Sequence, residues 1–269
     1  MSFPKIDVVI PCFNAESTLE RAVQSVLVQK YLGRLYLIDD CSQDNTFTLI
    51  QQLATQYPEH IYFAQLAQNS GVAQARNFGT FLAQQNNVDF VAFLDADDAY
   101  EEGALEVAAA TFYFQPETQV VRLDLKPVHL APRYAQHEHI DLAWQYMRMT
   151  GAGNTVFNKT FFAACGGFPT DDLFRELGGE DGALGIATTK VAKVATLFKE
   201  AGVLYFCREG MHAERLLDAI LFDKKDPRIT PDKIAQADAV TESICTRINA
   251  LKKGLNSDQI GVFPQEVKR

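Results

Sequence analysis

The chain of 269 residues has one tryptophan, four methionines and five cysteines, and no long uninterrupted apolar run. Cys12, Cys41, Cys165, Cys207 and Cys245 are odd in number and scattered, with no Cys-x-x-Cys pair. That pattern excludes a disulfide scaffold and a structural zinc ribbon and fits a reducing compartment. Basic residues are also short: 25 Lys and Arg stand against 34 Asp and Glu, a formal charge of -9. A nucleic-acid binder needs a basic face to displace counterions, so that class is disfavoured and any grip on phosphate has to be local. The longest mostly apolar stretch, Gly103 to Phe114, contains Glu106 and is too short to span a bilayer. No signal peptide precedes the first strand. The expectation is a soluble, cytoplasmic protein; peripheral membrane contact and a homodimer stay open. No Gly-x-Gly-x-x-Gly follows the first strand, which disfavours a Rossmann dehydrogenase.

What is present is a regular alternation. Val8-Val-Ile10-Pro11 reads as a strand, with Asn14 as a helix N-cap. Leu19, Ala22, Val23, Val26 and Leu27 recur on one helical face. Leu35 to Ile38 and Ile61 to Phe63 are further strands, and residues 44–57 and 72–85 further helices. Strands alternating with helices of this length imply right-handed crossovers and a parallel sheet.

The most informative segment is Phe90-Val-Ala-Phe-Leu-Asp95-Ala-Asp97-Asp98, an apolar run feeding directly into three carboxylates. The run fits a strand buried on both faces, and the acids belong at its carboxyl end, the edge where open α/β sheets bind ligands. Crowded carboxylates repel one another unless a cation sits among them, and oxygen ligands suit Mg²⁺ or Mn²⁺. Cys12-Phe13-Asn14 and Asp39-Asp40 end two other strands, so a parallel sheet brings all three groups to one edge. Taken singly, each has a plain structural account: a cap, turn residues, a solvated acidic loop.

In order along the chain, Val8-Val-Ile-Pro-Cys-Phe-Asn14, Ile38-Asp-Asp-Cys-Ser-Gln-Asp44, Asn69-Ser-Gly-Val-Ala-Gln-Ala-Arg-Asn77, Leu94-Asp-Ala-Asp-Asp98, Cys165-Gly-Gly-Phe-Pro169 and Gly179-Glu-Asp-Gly182 resemble the motifs of the family 2 glycosyltransferases. The resemblance covers roughly residues 5 to 215. It implies the GT-A fold, a Rossmann-like, mixed, mostly parallel sheet flanked by helices. Residues 1–215 form that domain, with a nucleotide-sugar half to about residue 100 and an acceptor half beyond; residues 216–269 form a C-terminal helical extension and tail.

It further implies an inverting, metal-dependent enzyme of the kind used in polysaccharide biosynthesis. A sugar moves from a nucleotide-diphosphate sugar, a UDP-sugar first, to an acceptor hydroxyl on a glycan, a protein, a lipid-linked molecule or a small molecule. Pro11, Phe13 and Asn14 then lie at the base, and Asp39 accepts its N–H, with Asp40 able to take that role instead. Arg76 reaches ribose or pyrophosphate and Asp95 the ribose. Asp97 is the direct ligand of Mn²⁺ or Mg²⁺, with Asp98 in support and His212 as a further metal candidate. Asp181 is the base, its proton affinity raised by Glu180. Arg208 and Arg215 are weaker phosphate candidates. The segment from Val120 to Gly153 matches no motif, and acceptor choice is placed there; Trp144 within it is as readily core as acceptor platform. No Gln-x-x-Arg-Trp follows Asp181, so single transfer is expected rather than chain extension. The alternative is a non-catalytic protein of the same fold that binds a nucleotide sugar, glycan or partner.

Thr230-Pro-Asp232 starts a last helix striped by Ile234, Val240, Ile244, Ile248 and Leu251, with Gly254 as its C-cap and a loose tail from Ser257.

Overall fold

The computed structural model describes residues 3–255, without the side chains of His212, Gly254 and Leu255. Strands β1 (Ile6–Cys12), β2 (Leu32–Asp39) and β3 (Ile61–Gln65) are joined by helices α1 (Leu19–Leu27) and α2 (Thr46–Gln56), and α3 (Val72–Ala83) leads to β4 (Phe90–Phe93). These strands are parallel, in the order β3-β2-β1-β4. Along β1 every residue is buried, and alternate side chains face opposite layers. Val8 and Ile10 pack with Leu19, Val23 and Val26 on one side, and Val9 packs with Ala75 and Phe93 on the other.

Beyond β4 come β5 (Ala99–Tyr100), α4 (Ala104–Phe114), β6 (Val120–Leu123), β7 (Leu125–Val128), α5 (Pro132–Ala135), α6 (Ile140–Thr150) and β8 (Thr155–Asn158). Then follow α7 (Lys159–Cys165), α8 (Asp172–Leu177), α9 (Glu180–Val191), β9 (Val194–Leu197), β10 (Val203–Phe206), α10 (His212–Phe222) and α11 (Pro231–Leu255). The main sheet continues as β4-β8-β6-β9, with β8 antiparallel to both neighbours, so it is mixed but mostly parallel. A small sheet, β5-β10-β7, sits beside it.

The strand and helix alternation of the first half stands as expected. Two local expectations, both of helix caps, are corrected. Asn14 is no N-cap: α1 begins five residues later, at Leu19 after Thr18. Asn14 instead has φ 49° and bridges two loops, its backbone N–H donating to Ser42 Oγ and its Oδ1 accepting from Gln43 N–H. Gly254 is not past the helix end, since α11 runs through it to Leu255. The expected division at residue 215 falls inside α10, and Leu217 of that helix is buried in the same core as β1. Ile244 and Ile248 seat α11 against Leu184 and Ala187 of α9, whereas Ile234 and Leu251 remain exposed. The tail expected from Ser257 lies outside the described residues.

One close approach fixes how α3 lies on the sheet. A Cβ at Gly79 would stand 2.4 Å from Val9 Cγ1 and 3.0 Å from Ile38 Cγ1. Alanine there gains up to about 1 kcal/mol in helix propensity, but overpacking a tight core costs about 1–3 kcal/mol. Gly79→Ala is therefore expected to lower stability on balance, read as a lower midpoint in urea with an unchanged m value.

Candidate active site

The carboxyl ends of β1, β2 and β4 meet at one edge, where β1 and β2 run in register as Cys12 beside Asp39. Phe13 emerges there 47% exposed, an aromatic face turned to solvent next to a buried strand end that includes Pro11. The paired acids behind it divide the work. Asp40 is buried, and burial raises its carboxyl above the ordinary range while the loop before α3 holds it down. Its Oδ1 accepts from Ser70 N–H and its Oδ2 from Gly71 N–H, at 2.7 and 2.8 Å. Both oxygens of Asp40 are thus engaged by backbone. Asp39 is fully buried; its Oδ2 accepts from Ser42 N–H and Gln65 Nε2, but its Oδ1 has no partner. A buried acceptor without a donor costs about 1–3 kcal/mol, so this atom is an open demand for an N–H.

The acids after β4 also differ from one another. Asp95 is about one-third exposed and its Oδ1 accepts from Arg76 Nη2 at 2.6 Å. Asp97, similarly exposed, pairs through Oδ2 with Arg208 Nη2 at 2.7 Å. Its carbonyl takes Arg21 Nη2 at 2.5 Å, and the Arg21 guanidinium lies 3.7 Å over the Phe206 ring. Asp98 is buried, and its Oδ1 accepts from Phe206 N–H on β10. It joins the small sheet to the edge and does not open outward as a ligand would. Burial, then repulsion from Asp95 and Asp97, pushes Asp98 up to about 9; burial and Asp95 likewise raise Asp97 against the pull of Arg208.

Among the described residues no three or more His, Cys, Asp and Glu side chains converge to hold a metal by themselves. The side chain of His212 lies outside the described residues, so its expected ligation finds no geometry here. The donor set still fits a hard divalent cation that keeps waters and takes substrate phosphates, because Asp95 and Asp97 are partly exposed oxygen donors at one edge, each meeting its arginine through one oxygen. It does not fit a closed protein cage.

Arg76 departs from the expected free fork. Its side chain is 5% exposed, with Nη2 on Asp95 and Nη1 on Glu180 Oε1 at 3.2 Å, while Nε has no partner. Burial disfavours its charge, but Asp95, Glu180 and Asp181 outweigh burial and hold it protonated. One guanidinium thereby ties the end of β4 to the first turn of α9. Glu180 is buried in that pair; Asp181 next to it is only half-buried and accepts Gly182 N–H through Oδ1. Burial raises Asp181, opposed mainly by Arg76, with Asp95 adding repulsion. Burial raises Glu180 as well, with like-charge repulsion from Asp181 added and Arg76 opposing it.

The segment that matched no motif supplies a wall of this site. A Cβ at Gly153 would stand 3.2 Å from Asp95 Oδ2, so a larger residue in this turn would press the acid back by a few tenths of an ångström. Arg122 on β6 is fully buried and donates through Nη1 to the Gly151 carbonyl; burial lowers it to about 10 against the pull of Asp181. Trp144 is core, with its indole N–H on the Leu125 carbonyl. The histidines of this segment gather around no common point. Arg215 donates to the Leu177 carbonyl and pairs with Asp226. Gln65, Arg122 and Gly153 carried no motif; only the pairing of Gln65 with Asp39 across β2 and β3 was accessible from a parallel register.

Known proteins resemble this chain in sequence and fold. Over 104 residues the chain is 38% identical to the putative teichuronic acid biosynthesis glycosyltransferase TuaG of Bacillus subtilis, a match covering 38% of the chain and 40% of the relative. It is 39% identical over 106 residues to the poly(ribitol-phosphate) beta-N-acetylglucosaminyltransferase TarP of Staphylococcus aureus, covering 38% of the chain and 31% of the relative. The chain thus spans less than half of the length of these relatives. Its fold is that of S. aureus TarS residues 1–349 in complex with UDP-GlcNAc, at TM-score 0.60 and 19% identity over 91% of this chain and 73% of that one. The mannosyltransferase PcManGT of Pyrobaculum calidifontis, in complex with GDP-Man and Mn²⁺, matches with TM-score 0.60 and 18% identity over 98% of this chain and 78% of that one. The model of the glycosyl transferase family 2 matches residues 7–174, more than half of the 269 residues, and the chain belongs to that family.

Proposed function

We propose that the chain transfers a sugar from a nucleotide-diphosphate sugar, with UDP as the nucleotide, to an acceptor hydroxyl in a single inverting displacement. The observation that carries this reading is the Arg76 bridge, which sets the half-buried Asp181 beside the acids at the end of β4. Donor-binding and proton-accepting groups are then held in one unit.

Phe13 packs against the base and Asp39 Oδ1 accepts its ring N–H; uracil presents such a donor, and cytosine has a ring acceptor there. Asp95 accepts a ribose hydroxyl through Oδ2, the oxygen that Arg76 leaves free. Asp97 and Asp95 would hold Mn²⁺ or Mg²⁺, which supplies Lewis-acid neutralisation of the leaving diphosphate when bound. Asp181 takes the proton of the attacking hydroxyl as the new bond forms at the anomeric carbon and the bond to phosphate oxygen breaks. The acceptor meets the wall formed by residues 151–154, and the relatives' names, with teichuronic acid and poly(ribitol-phosphate) in them, favour an acidic polymer as its class. The work is set on the cytoplasmic side, where nucleotide sugars are made.

Purified chain with UDP-sugars and Mn²⁺ is the direct test. Sugar release or transfer, lost when Asp97→Asn is introduced, is the expected result; UDP binding without turnover on any acceptor would favour a binding module. Asp39→Asn adds a second check. It replaces one carboxylate oxygen with a donor facing the base, and UDP affinity is expected to fall about 10–100-fold by calorimetry, the worth of a hydrogen bond to a charged group.

A further inference from the structure

Asp39 reads the base only if its carboxylate cannot turn, and the group that stops it is a side chain outside every motif. Ser42 N–H reaches Asp39 Oδ2 at 3.2 Å, because Cys41 turns the loop back with φ 60°. That long single bond tethers only one oxygen of the carboxylate. Gln65, the last residue of edge strand β3, lies directly beside Asp39 in the parallel register. Its Nε2 donates to the same Oδ2 at 2.9 Å. With two donors on Oδ2, the one bare acceptor is Oδ1, buried and without a partner. Gln65 is itself exposed at the sheet edge, where packing makes no demand for an amide.

We propose that Gln65 is a positioning residue for donor choice: it locks the Asp39 carboxylate so that one bare oxygen selects bases presenting a ring N–H and rejects cytosine. This rests on the base-binding role given to Asp39 above. Without the amide, the carboxylate plane tilts, and part of the bound population meets the base with the bare oxygen off the line of the ring N–H. The loss falls on uracil, which uses the bond, and not on cytosine, which does not.

Calorimetric titration of the full chain with UDP and with CDP, Mn²⁺ present, separates the possibilities. Gln65→Met keeps the side-chain bulk and removes the donor; at an exposed position it is expected to fold as the parent does, checked by thermal unfolding. UDP should bind about tenfold more weakly and CDP within about twofold of the parent, collapsing the ratio between them. A ratio unchanged in Gln65→Met but lost in Asp39→Asn overturns the role of Gln65 and leaves the Asp39 reading standing. A ratio unchanged in both variants overturns the two together. Equal weakening of UDP and CDP by Gln65→Met also overturns the proposal, since it marks a general structural role.

Discussion

Asp181→Asn is expected to lower the transfer rate about 10²–10⁴-fold while UDP affinity stays within about twofold of the parent. Asparagine keeps the shape and the contact with Gly182 N–H but cannot take a proton from an acceptor. The pH profile of the parent carries the same signature. A base works ionised, and burial raises the Asp181 carboxyl above its ordinary value near 3.8. The acidic limb of kcat/KM should therefore lie above the range of a free aspartate, with activity falling as pH drops through it. Stability moves the other way. A carboxyl with a raised value binds its proton more tightly folded than unfolded, so its contribution to stability declines as pH rises from that ordinary value through the raised one. Removing the charge should leave the melting temperature of Asp181→Asn at neutral pH equal to or above that of the parent. Lost activity with retained stability would separate chemistry from misfolding, as expected where a functional site carries unfavourable charge.

Arg76→Met should be the most destabilising single change at this edge. It leaves Glu180, 8% exposed, without the cation that holds it, and frees Asp95 beside two further acids. Breaking a buried pair from one side costs about 3–5 kcal/mol because the remaining charge stays uncompensated. Part of that cost is avoided if Glu180 takes up a proton, so the loss should be larger at pH 8 than at pH 5. Chemical denaturation at both values reads it out. The double change Arg76→Met with Glu180→Gln removes both partners and should recover a large share of the stability without recovering transfer, since Asp95 is no longer fixed. Equal loss at both pH values, or no recovery in the double variant, would show that packing against Phe168 carries the effect.

How far the sequence could be read depended on whether a residue's role was local. The alternation of β1 through β4 was legible because a buried parallel strand writes itself as an apolar run and its helix as a stripe. The gathering of Phe13, Asp39 and Asp95 to Asp98 followed from topology alone. What the sequence could not show was how neighbouring acids divide. Asp39 and Asp40 look equivalent until Ser70 and Gly71 are seen to occupy both oxygens of Asp40. Asp97 and Asp98 differ only because β10 brings Phe206 N–H to Asp98. Arg76 reads as a free fork because its partner Glu180 is 104 positions away in the chain. Asn14 is a residue type common to caps and turns, and its positive φ between two loops marks it as a turn residue. The stretch from Val120 to Gly153 carries its information as close approach, a glycine against Asp95 and an arginine beneath Asp181, and neither leaves a motif.

A crystal structure of the chain grown with UDP and Mn²⁺ tests the central claim most directly. The account predicts Mn²⁺ coordinated by Asp97, with Arg208 moved off that carboxylate, and the uracil ring N–H on Asp39 Oδ1 against the face of Phe13. Asp97 still paired with Arg208, and UDP bound away from Asp39, would contradict it.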